Sequence, residues 1–377
     1  MKILCIIGIA CIALFTSCSD NNNTVVVDNN GTAINWTAAA DSSTTSLITN
    51  FWNPTAHYFN EATSESNFGG YWPQAHGLDV MLDAYLRTND AKYKTYFDQW
   101  YSGVPVRNGG SFLNNYYDDM EWNALALLRA YVATKDEKYK TAAQTVWTDI
   151  QTGWNTNGGG GIAWVKTDLF SKNACSNGPA CILAARFYQQ FKIASDKEWA
   201  LKIYNWEKNT LFNSSNGAVN DNLNAKSGAI SNYISTYNQG TFIGSAVELY
   251  KITGEKTYLN DAIKTADYTI NKLTTSQILN PEGTKDLALF KGIFIRYFTQ
   301  LIQTPDLDNA TKERYVLFLK LNATKLWNSG VNKKYATCTS NWTVAPSFLS
   351  ETELNAQASG SMLMEAAALL SKAGDLK

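Results

Sequence analysis

The chain has 377 residues and a formal net charge of −1, and 13% of its residues are aromatic, including 12 Trp and 20 Tyr. The near-neutral charge, without a basic stripe or an RNA-binding signature, argues against a nucleic-acid partner. Two histidines and no Cys-x-x-Cys pair argue against a zinc site, so we expect neither a metal nor a cofactor. The surplus of Trp and Tyr suits sugar binding, because pyranose C–H faces pack on flat aromatic rings.

The first 33 residues predict export and attachment to a membrane. Lys2 precedes an apolar run at 3–15, which has the length of a signal-peptide core and is too short to span a bilayer. Thr16-Ser17-Cys18 resembles a lipobox, so we expect residues 1–17 to be removed and Cys18 to be lipidated. An ordinary signal peptide cut nearby is the alternative. Residues 18–33 are Asn-rich and aperiodic, as in a flexible tether, so the protein would be an outer-membrane or cell-surface lipoprotein that meets the membrane through its lipid anchor only.

Residues 34–377 predict one all-α domain. Segments such as 124–132 and 358–370 are rich in helix formers, and a short polar turn recurs between a helix end and a charged helix start that carries an aromatic residue. These turns are 46 to 69 residues apart and centre on Asp90, Asp136, Asp196, Gly254, Asp306 and Asp375. Each unit can hold two helices and a long loop, which predicts an (α/α)6 toroid, or barrel, of six helical hairpins with the long loops at one end. The repeat alone leaves an open superhelical solenoid as the alternative.

The predicted long loops contain the unusual residues of the chain. They are, in order, 71–79 (YWPQAHGLD), 114–122 (NNYYDDMEW), 158–164 (GGGGIAW), 172–178 (KNACSNG), 236–240 (TYNQG) and 290–297 (FKGIFIRY). Asp118 and Asp119 stand where the second of these runs into a helix, a place where acidic residues commonly cap the helix and complement its dipole. The chemical alternative is a retaining glycosidase, in which one carboxylate attacks the anomeric carbon and another, about 5–5.5 Å away, donates a proton. The helix N-terminus would favour one ionised carboxylate, while repulsion would raise the pKa of the other.

Taken together and in order, these segments resemble glycoside hydrolase family 76, the endo-acting α-1,6-mannanases. The resemblance runs from about residue 71 to residue 297 and, more loosely, through 357–359. It implies the (α/α)6 fold and hydrolysis of α-1,6-linked mannan with retention of configuration, with Asp118 as the nucleophile and Asp119 as the general acid/base. The sugar contacts that it implies are Trp72, Tyr117, Trp164, Asn173, Asn177, Tyr237, Asn238 and Gln239, with Asp221 as a looser candidate.

Structural roles compete with functional ones at several positions. Trp72 and Trp164 could be core rings, and Asn177 and Asn238 could hold loops through local hydrogen bonds. Lys291 and Arg296 could be solvated or paired structurally rather than part of the site.

The resemblance has one departure. Family members often carry a second aromatic residue beside the tryptophan of the glycine-rich loop, where this chain has Ala163, and we expect one sugar subsite to be weaker or differently shaped. Three other functions remain compatible with the sequence: a transglycosylase, a non-catalytic mannan-binding lipoprotein, and a different (α/α)6 enzyme such as an inverting hydrolase.

Three cysteines, Cys175, Cys181 and Cys338, follow the predicted cleavage site besides Cys18. In an oxidising compartment we expect a disulfide. Cys175–Cys181 with Cys338 free is one pairing, and Cys338 with either of the others is equally open.

Overall fold

The computed structural model describes residues 27–28, 31–349 and 352–376. The predicted signal peptide and Cys18 lie outside these residues. Twelve helices occupy the described part of the chain: α1 (Trp36–Phe51), α2 (Tyr71–Thr88), α3 (Lys92–Arg107), α4 (Tyr117–Thr134), α5 (Glu137–Gln151), α6 (Gly178–Phe191), α7 (Ala194–Thr210), α8 (Thr236–Thr253), α9 (Lys256–Lys272), α10 (Phe290–Ile302), α11 (Asn309–Lys325) and α12 (Leu354–Lys372). None of them is long and apolar enough to cross a membrane.

The even-numbered helices form a closed inner ring. Helix α2 packs on α4, and the contacts continue in order through α6, α8, α10 and α12, which packs back on α2. The odd-numbered helices form an outer layer around this ring, with α3, α5, α7, α9 and α11 each packed on a neighbouring inner helix. The contact between α12 and α2 closes the ring, so the (α/α)6 toroid is confirmed and the open solenoid is excluded.

The predicted turns join inner helices to outer helices at one end of the ring. Four of them contain a residue in the left-handed region that ends the inner helix: Asn89 (φ 56°), Lys135 (φ 61°), Lys192 (φ 58°) and Gly254 (φ 75°). A fifth turn, between α10 and α11, has Asp308 as the N-cap of α11, with its side chain accepting from the Thr311 N–H. Such turns satisfy backbone groups that the helix termini would otherwise leave unpaired.

The sixth hairpin differs from the prediction, because in the described part of the chain the turn at Ala373-Gly374-Asp375 follows α12 and leads into no outer helix. Its outer helix is α1, which comes from the other end of the chain and packs along α12. Ser43 Oγ lies 2.7 Å from Ser361 Oγ, and the Thr44 hydroxyl donates to Glu365 over 2.7 Å. Helices from the two ends of the chain therefore complete the barrel together.

Glycines allow the inner helices to approach closely on one side of the ring. A Cβ atom on Gly240 would lie 2.6 Å from the Cα of Phe294, and one on Gly292 would lie 2.6 Å from the Cα of Ser359. Real Cβ atoms do not approach other atoms so closely, so α8, α10 and α12 can pack at this distance only because both positions lack side chains.

Charged residues of α2, α4 and α10 form ion pairs inside the ring. Arg129 donates to both Asp79 and Asp83, and Arg296 lies 2.8 Å from the Asp83 carboxylate. Burial alone would raise the pKa of Asp79, but the nearby Arg129 and Arg296 lower it. Arg296 is thus paired structurally inside the barrel, which was one of the two interpretations of this residue.

Short antiparallel strands lie in the long connections between helices. The all-α prediction did not include them. They form the sheets β1 (Trp52–Asn53) with β2 (Tyr58–Phe59), β3 (Ser171–Asn173) with β4 (Asn222–Asn224) and β5 (Ala229–Ile230), β6 (Thr274–Thr275) with β7 (Ile278–Leu279), and β8 (Val331–Asn332) with β9 (Thr337–Cys338). In the three-stranded sheet Asn173 pairs with Asn222, so two loops far apart in sequence meet beside the ring.

Candidate active site

A cleft of about 870 Å³ opens at the end of the ring where the inner helices begin. The residues that line it are Trp72, Tyr116, Asp118, Asp119, Trp122, Trp164, Ser171, Asn173, Cys175, Asp221, Asn222, Tyr233, Tyr237, Asp286, Leu287 and Phe290. Several of these stand in the first turns of α2, α4, α8 and α10. Because helix N-termini carry partial positive charge, this end of the ring favours an anionic group.

The acidic pair lies in the first turn of α4, held by the loop that contains Trp164. The Tyr117 N–H donates to the Trp164 carbonyl over 2.9 Å, which fastens the loop to the helix start. The indole Nε1 of Trp164 then donates to Asp118 Oδ2 over 3.0 Å, and the Cys175 thiol donates to the same oxygen over 3.3 Å. The other oxygen of this carboxyl, Oδ1, is buried without a hydrogen-bond partner among the described residues.

The two carboxyl groups have different electrostatic surroundings. Burial raises the pKa of Asp118 to about 6, and the hydrogen bonds from Cys175 and Trp164 oppose that rise. Burial, and then the charges of Asp118 and Asp286, raise the pKa of Asp119 well above its usual value. Asp119 therefore keeps its proton at a pH where Asp118 has already ionised, which places an anion beside a proton donor.

A third carboxylate, Asp286, faces the pair from the turn that precedes α10. It accepts a hydrogen bond from the indole Nε1 of Trp72 over 3.1 Å. Trp72 also packs at a tilt against Trp122, with the ring centroids 6.5 Å apart. Among the described residues, no cluster of three or more His, Cys, Asp or Glu is arranged to hold a metal ion.

Aromatic rings form two walls of the cleft. Tyr116 and Trp164 lie with their centroids 5.2 Å apart, and 41% and 36% of their surfaces are exposed. Tyr237 and Phe290 stack at 3.8 Å. Exposed rings around buried carboxyls provide apolar faces for sugar rings together with polar groups that fix their orientation.

Five of the predicted sugar contacts line the cleft. They are Trp72, Trp164, Asn173, Asp221 and Tyr237. Trp72 and Trp164 are therefore cleft residues rather than interior core rings. The Asp221 carboxylate accepts from Asn238 Nδ2 over 2.8 Å, so its position depends on α8.

The other four predicted contacts, Tyr117, Asn177, Asn238 and Gln239, do not line this cleft. Tyr117 is buried on the outer side of α4, where its hydroxyl lies 3.2 Å from Thr152 Oγ1. Asn177 is fully buried and bonds to both backbone groups of Ile162, so it holds the glycine-rich loop.

Asn238 and Gln239 also act as supports rather than cleft residues. The Gln239 carboxamide bonds to both backbone groups of Val219, which fixes the segment before Asp221. Asn238 is buried and donates to Asp221, which lines the cleft.

The disulfide prediction is wrong, because all three described cysteines are free and buried. Cys175 faces Asp118, whereas Cys181 points toward the outer layer, where it bonds to the Ala200 carbonyl. Cys338 lies on β9 against Gly360 of α12. The three thiols therefore point toward different parts of the barrel.

Burial shows that two further positions, Ala163 and Lys291, do not face the cleft. Ala163 is fully buried, so its side chain does not face the cleft. Lys291 is 1% exposed and its Nζ lies 4.1 Å from the ring centroid of Trp342, outside the cleft lining. Burial lowers the pKa of Lys291 to about 7, although Glu282 opposes this.

Several residues that line the cleft are not among the predicted site residues. Tyr116, Trp122 and Phe290 are inside the motifs that were identified, where their aromatic character was a usable signal. Asp286 and Tyr233 lie in connections that match no motif, so only the fold brings them to the cleft.

A closed (α/α)6 barrel with an asymmetric aspartate pair in an aromatic cleft is the architecture of a glycoside hydrolase. The chain belongs to glycosyl hydrolase family 76, because the sequence model of that family matches residues 35–376. No curated protein matches the chain.

Solved structures with this fold include the α-1,6-mannanase GH76A of Salegentibacter sp. HEL1_6. It is 41% identical, the match covers 89% of this chain and 100% of that one, and the TM-score is 0.86. An inactive variant of that enzyme, with two adjacent aspartates replaced by alanine and α-1,6-mannotetrose bound, matches at 39% identity with the same coverage and TM-score. The Lin0763 protein of Listeria innocua matches at 36% identity, covering 90% of this chain and 99% of that one, with a TM-score of 0.82.

Proposed function

We propose that the protein is a retaining, endo-acting hydrolase of the α-1,6-linked backbone of mannan. The observation that carries this proposal is the asymmetry of Asp118 and Asp119, one held by donors at a single oxygen and the other kept protonated. Asp118-Asp119 is the one Asp-Asp pair in the sequence. In the mannanase relative, two adjacent aspartates were replaced to obtain inactive variants that bind α-1,6-mannotetrose and α-1,6-mannotriose.

The geometry supports double displacement. The Asp118 carboxylate attacks the anomeric carbon while Asp119 gives its proton to the glycosidic oxygen, so the C–O bond to the leaving sugar breaks and a glycosyl ester forms. Asp119, now ionised, takes a proton from water. The resulting oxygen nucleophile attacks the anomeric carbon and releases Asp118. Two inversions give the α-anomer as the first product.

The endo mode is supported by the shape of the cleft. Its two aromatic walls, Tyr116 with Trp164 and Tyr237 with Phe290, can each face sugar units of a continuous chain. The acidic pair is reached from this open cleft. A polysaccharide can therefore be bound along its length rather than at its end only.

The product ladder from linear α-1,6-mannan tests the proposal, compared with branched yeast mannan and with the double variant Asp118→Asn/Asp119→Asn as a blank. We expect a spread of oligosaccharides at early times and the α-anomer first by NMR. Mannose alone would refute the endo mode, and the β-anomer first would refute double displacement. Products longer than the substrate would identify a transglycosylase, and binding without cleavage would identify a mannan-binding protein.

We also propose that the enzyme is anchored through Cys18. The support is the apolar run at 3–15 followed by Thr16-Ser17-Cys18 and a polar segment. We expect wild type to incorporate a fatty-acid analogue and to sediment with membranes, and Cys18→Ser to do neither. The Cys11→Ser variant, altered inside the apolar run, is the control that should keep both properties. Equal labelling of wild type and Cys18→Ser would contradict the proposal.

A further inference from the structure

One buried thiol in the cleft is not accounted for by the double-displacement mechanism. Cys175 lies in a short 3-10 turn at Ala174–Ser176, between β3 and α6, and 3% of its surface is exposed. Its Sγ lies 3.3 Å from Asp118 Oδ2, the oxygen that also receives the Trp164 indole. This thiol therefore contacts the side chain that would attack the sugar.

The protonation state of Cys175 makes it a donor to Asp118. Burial, and then the charges of Asp118 and Asp221, raise the pKa of Cys175 well above its usual value. The sulfur therefore keeps its hydrogen at neutral pH. Since an ionised carboxylate only accepts hydrogen bonds, the S–H must point toward Asp118.

Tyr237 lines the cleft together with Cys175. A hydrogen bond from its hydroxyl opposes the rise in the pKa of Cys175, and its ring stacks on Phe290 at 3.8 Å. Burial above all raises the pKa of Tyr237 well above its usual value, so this phenol also keeps its proton. A hydroxyl that donates to the sulfur directs the thiol hydrogen away from itself and toward Asp118.

We propose that Cys175 is a positioning residue that, oriented by the Tyr237 hydroxyl, holds Asp118 Oδ2 and thereby keeps the carboxylate in a single orientation toward the anomeric carbon. The inference rests on the proposed function, in which Asp118 is the nucleophile. Trp164 and Cys175 donate to the same oxygen of Asp118, over 3.0 Å and 3.3 Å. Fixing the carboxylate in this way favours both its ionised form and a single orientation.

The test replaces Cys175 by alanine and by serine and follows kcat/KM on linear α-1,6-mannan as a function of pH. Loss of a hydrogen bond to an ionised group should lower kcat/KM roughly tenfold in Cys175→Ala, mainly through kcat. It should also move the acidic limb of the profile to higher pH, because the ionised form of Asp118 loses a donor. Cys175→Ser retains an O–H donor, so we expect its acidic limb to stay near that of wild type.

The other titratable groups around Asp118 are unchanged in these variants. They are Asp119 and Glu121 on α4, Asp221 beside β4, Tyr237 on α8 and Asp286 before α10. Cys181→Ala is the matched control, since this thiol is equally buried but bonds to the Ala200 carbonyl in the outer layer. It should lower the unfolding temperature and leave the acidic limb in place.

A double-mutant cycle tests the role of Tyr237. If Tyr237 acts through the sulfur, Tyr237→Phe should shift the acidic limb in wild type and have no further effect on it in Cys175→Ala. An unshifted limb in Cys175→Ala, or equal shifts in Cys175→Ala and Cys175→Ser, would overturn the inference. Full activity of Asp118→Asn would instead refute the proposed function, so the two failures can be told apart.

Discussion

The indole nitrogen of Trp164 lies 3.0 Å from Oδ2 of Asp118, so the glycine-rich loop holds the acidic pair at the start of α4. The backbone around Trp164 is fixed on both sides: its carbonyl accepts from the Tyr117 N–H, and its own N–H donates to the Ser171 carbonyl, each over 2.9 Å. The orientation of the carboxylate is therefore set by a loop as well as by its own helix.

Replacing Trp164 by phenylalanine should preserve an aromatic wall and remove one donor to Asp118. We expect kcat/KM to fall by roughly tenfold or more, since a hydrogen bond to a charged group is lost. The acidic limb of the pH profile should move to higher pH, because the pKa of Asp118 rises when a donor to its ionised form disappears. The control is Trp154→Phe, because the Trp154 ring packs edge-on against Trp199 at 5.9 Å and does not line the cleft. Matching profiles for Trp164→Phe and wild type would show that the indole N–H has no role.

Amide substitution should separate the roles of Asp118 and Asp119. Asp118→Asn should form no glycosyl-enzyme on any substrate, because no anion remains to attack. Asp119→Asn should lose about 10²–10⁴-fold on mannan, where the leaving group needs a proton. It should keep more activity on an aryl α-manno-oligosaccharide whose leaving group departs unaided. Mass spectrometry of quenched enzyme and initial rates on both substrates measure the difference.

As a control, circular dichroism and mannotetraose binding should show that both variants are folded and still bind substrate. Equal losses on both substrates for Asp119→Asn would argue against its role as a general acid. Turnover near the wild-type rate by either folded variant would remove that residue from the mechanism.

Two buried carboxyls behind the cleft should make the fold less stable as the pH rises. Glu207 is fully buried without a hydrogen-bond partner among the described residues, and burial raises its pKa to about 8. The folded state then binds more protons than the unfolded chain above the unfolded pKa near 4.5, so stability falls between that pH and about pH 8. Glu121 is shifted in the same direction by burial first and by nearby acidic groups second.

Glu207→Gln should therefore reduce this pH dependence. Urea unfolding gives the free energy of unfolding of each protein. Between pH 5 and pH 7 this free energy should fall more in wild type than in the variant, by on the order of 2 kcal/mol. Part of the slope should remain because Glu121 is still present. Glu198→Gln, on the exposed face of the same helix, should behave like wild type. Parallel stability curves for wild type and Glu207→Gln would show that Glu207 does not titrate as its burial suggests.

Gly240→Ala should destabilise the barrel although alanine favours helices. The added Cβ would lie 2.6 Å from the Cα of Phe294, and overpacking of this kind typically costs about 1–3 kcal/mol. Because Tyr237 and Phe290 are one turn away on the same two helices, kcat/KM should fall as well. Thermal unfolding and steady-state kinetics of the variant measure both effects. An increase in stability would mean that α8 and α10 separate easily.

The periodic turns carried most of the information about the fold. A polar residue that ends one helix and a cap that starts the next are local signals, so the hairpins at Asp90, Asp136, Asp196 and Gly254 could be predicted directly. The pairing of α1 with α12 could not, because contacts between the chain ends leave no local pattern. The short strands of the loops were missed for a similar reason, since two or three residues carry too little alternation.

Within the site, residue type predicted chemistry better than placement. Asp118 and Trp164 face the cleft as the motifs suggested, whereas Asn177 and Gln239 support it from behind. Polar residues of one motif can point into the cleft or into the protein interior, and the packing of the helices and loops determines which. The disulfide failed because sequence spacing does not specify the direction of a thiol.

The meeting of α1 and α12 also determines when the barrel can form. The Ser43–Ser361 contact spans 318 positions of the chain, so this seam cannot close until both α1 and α12 are available. Contacts between such distant residues require a large loss of chain entropy before they stabilise anything, which slows folding. On an emerging chain, α2 and α4 would exist for some time without the helices that complete the ring. Assembly of a competent cleft therefore waits for α12 and is not completed by the segment that carries the aspartates.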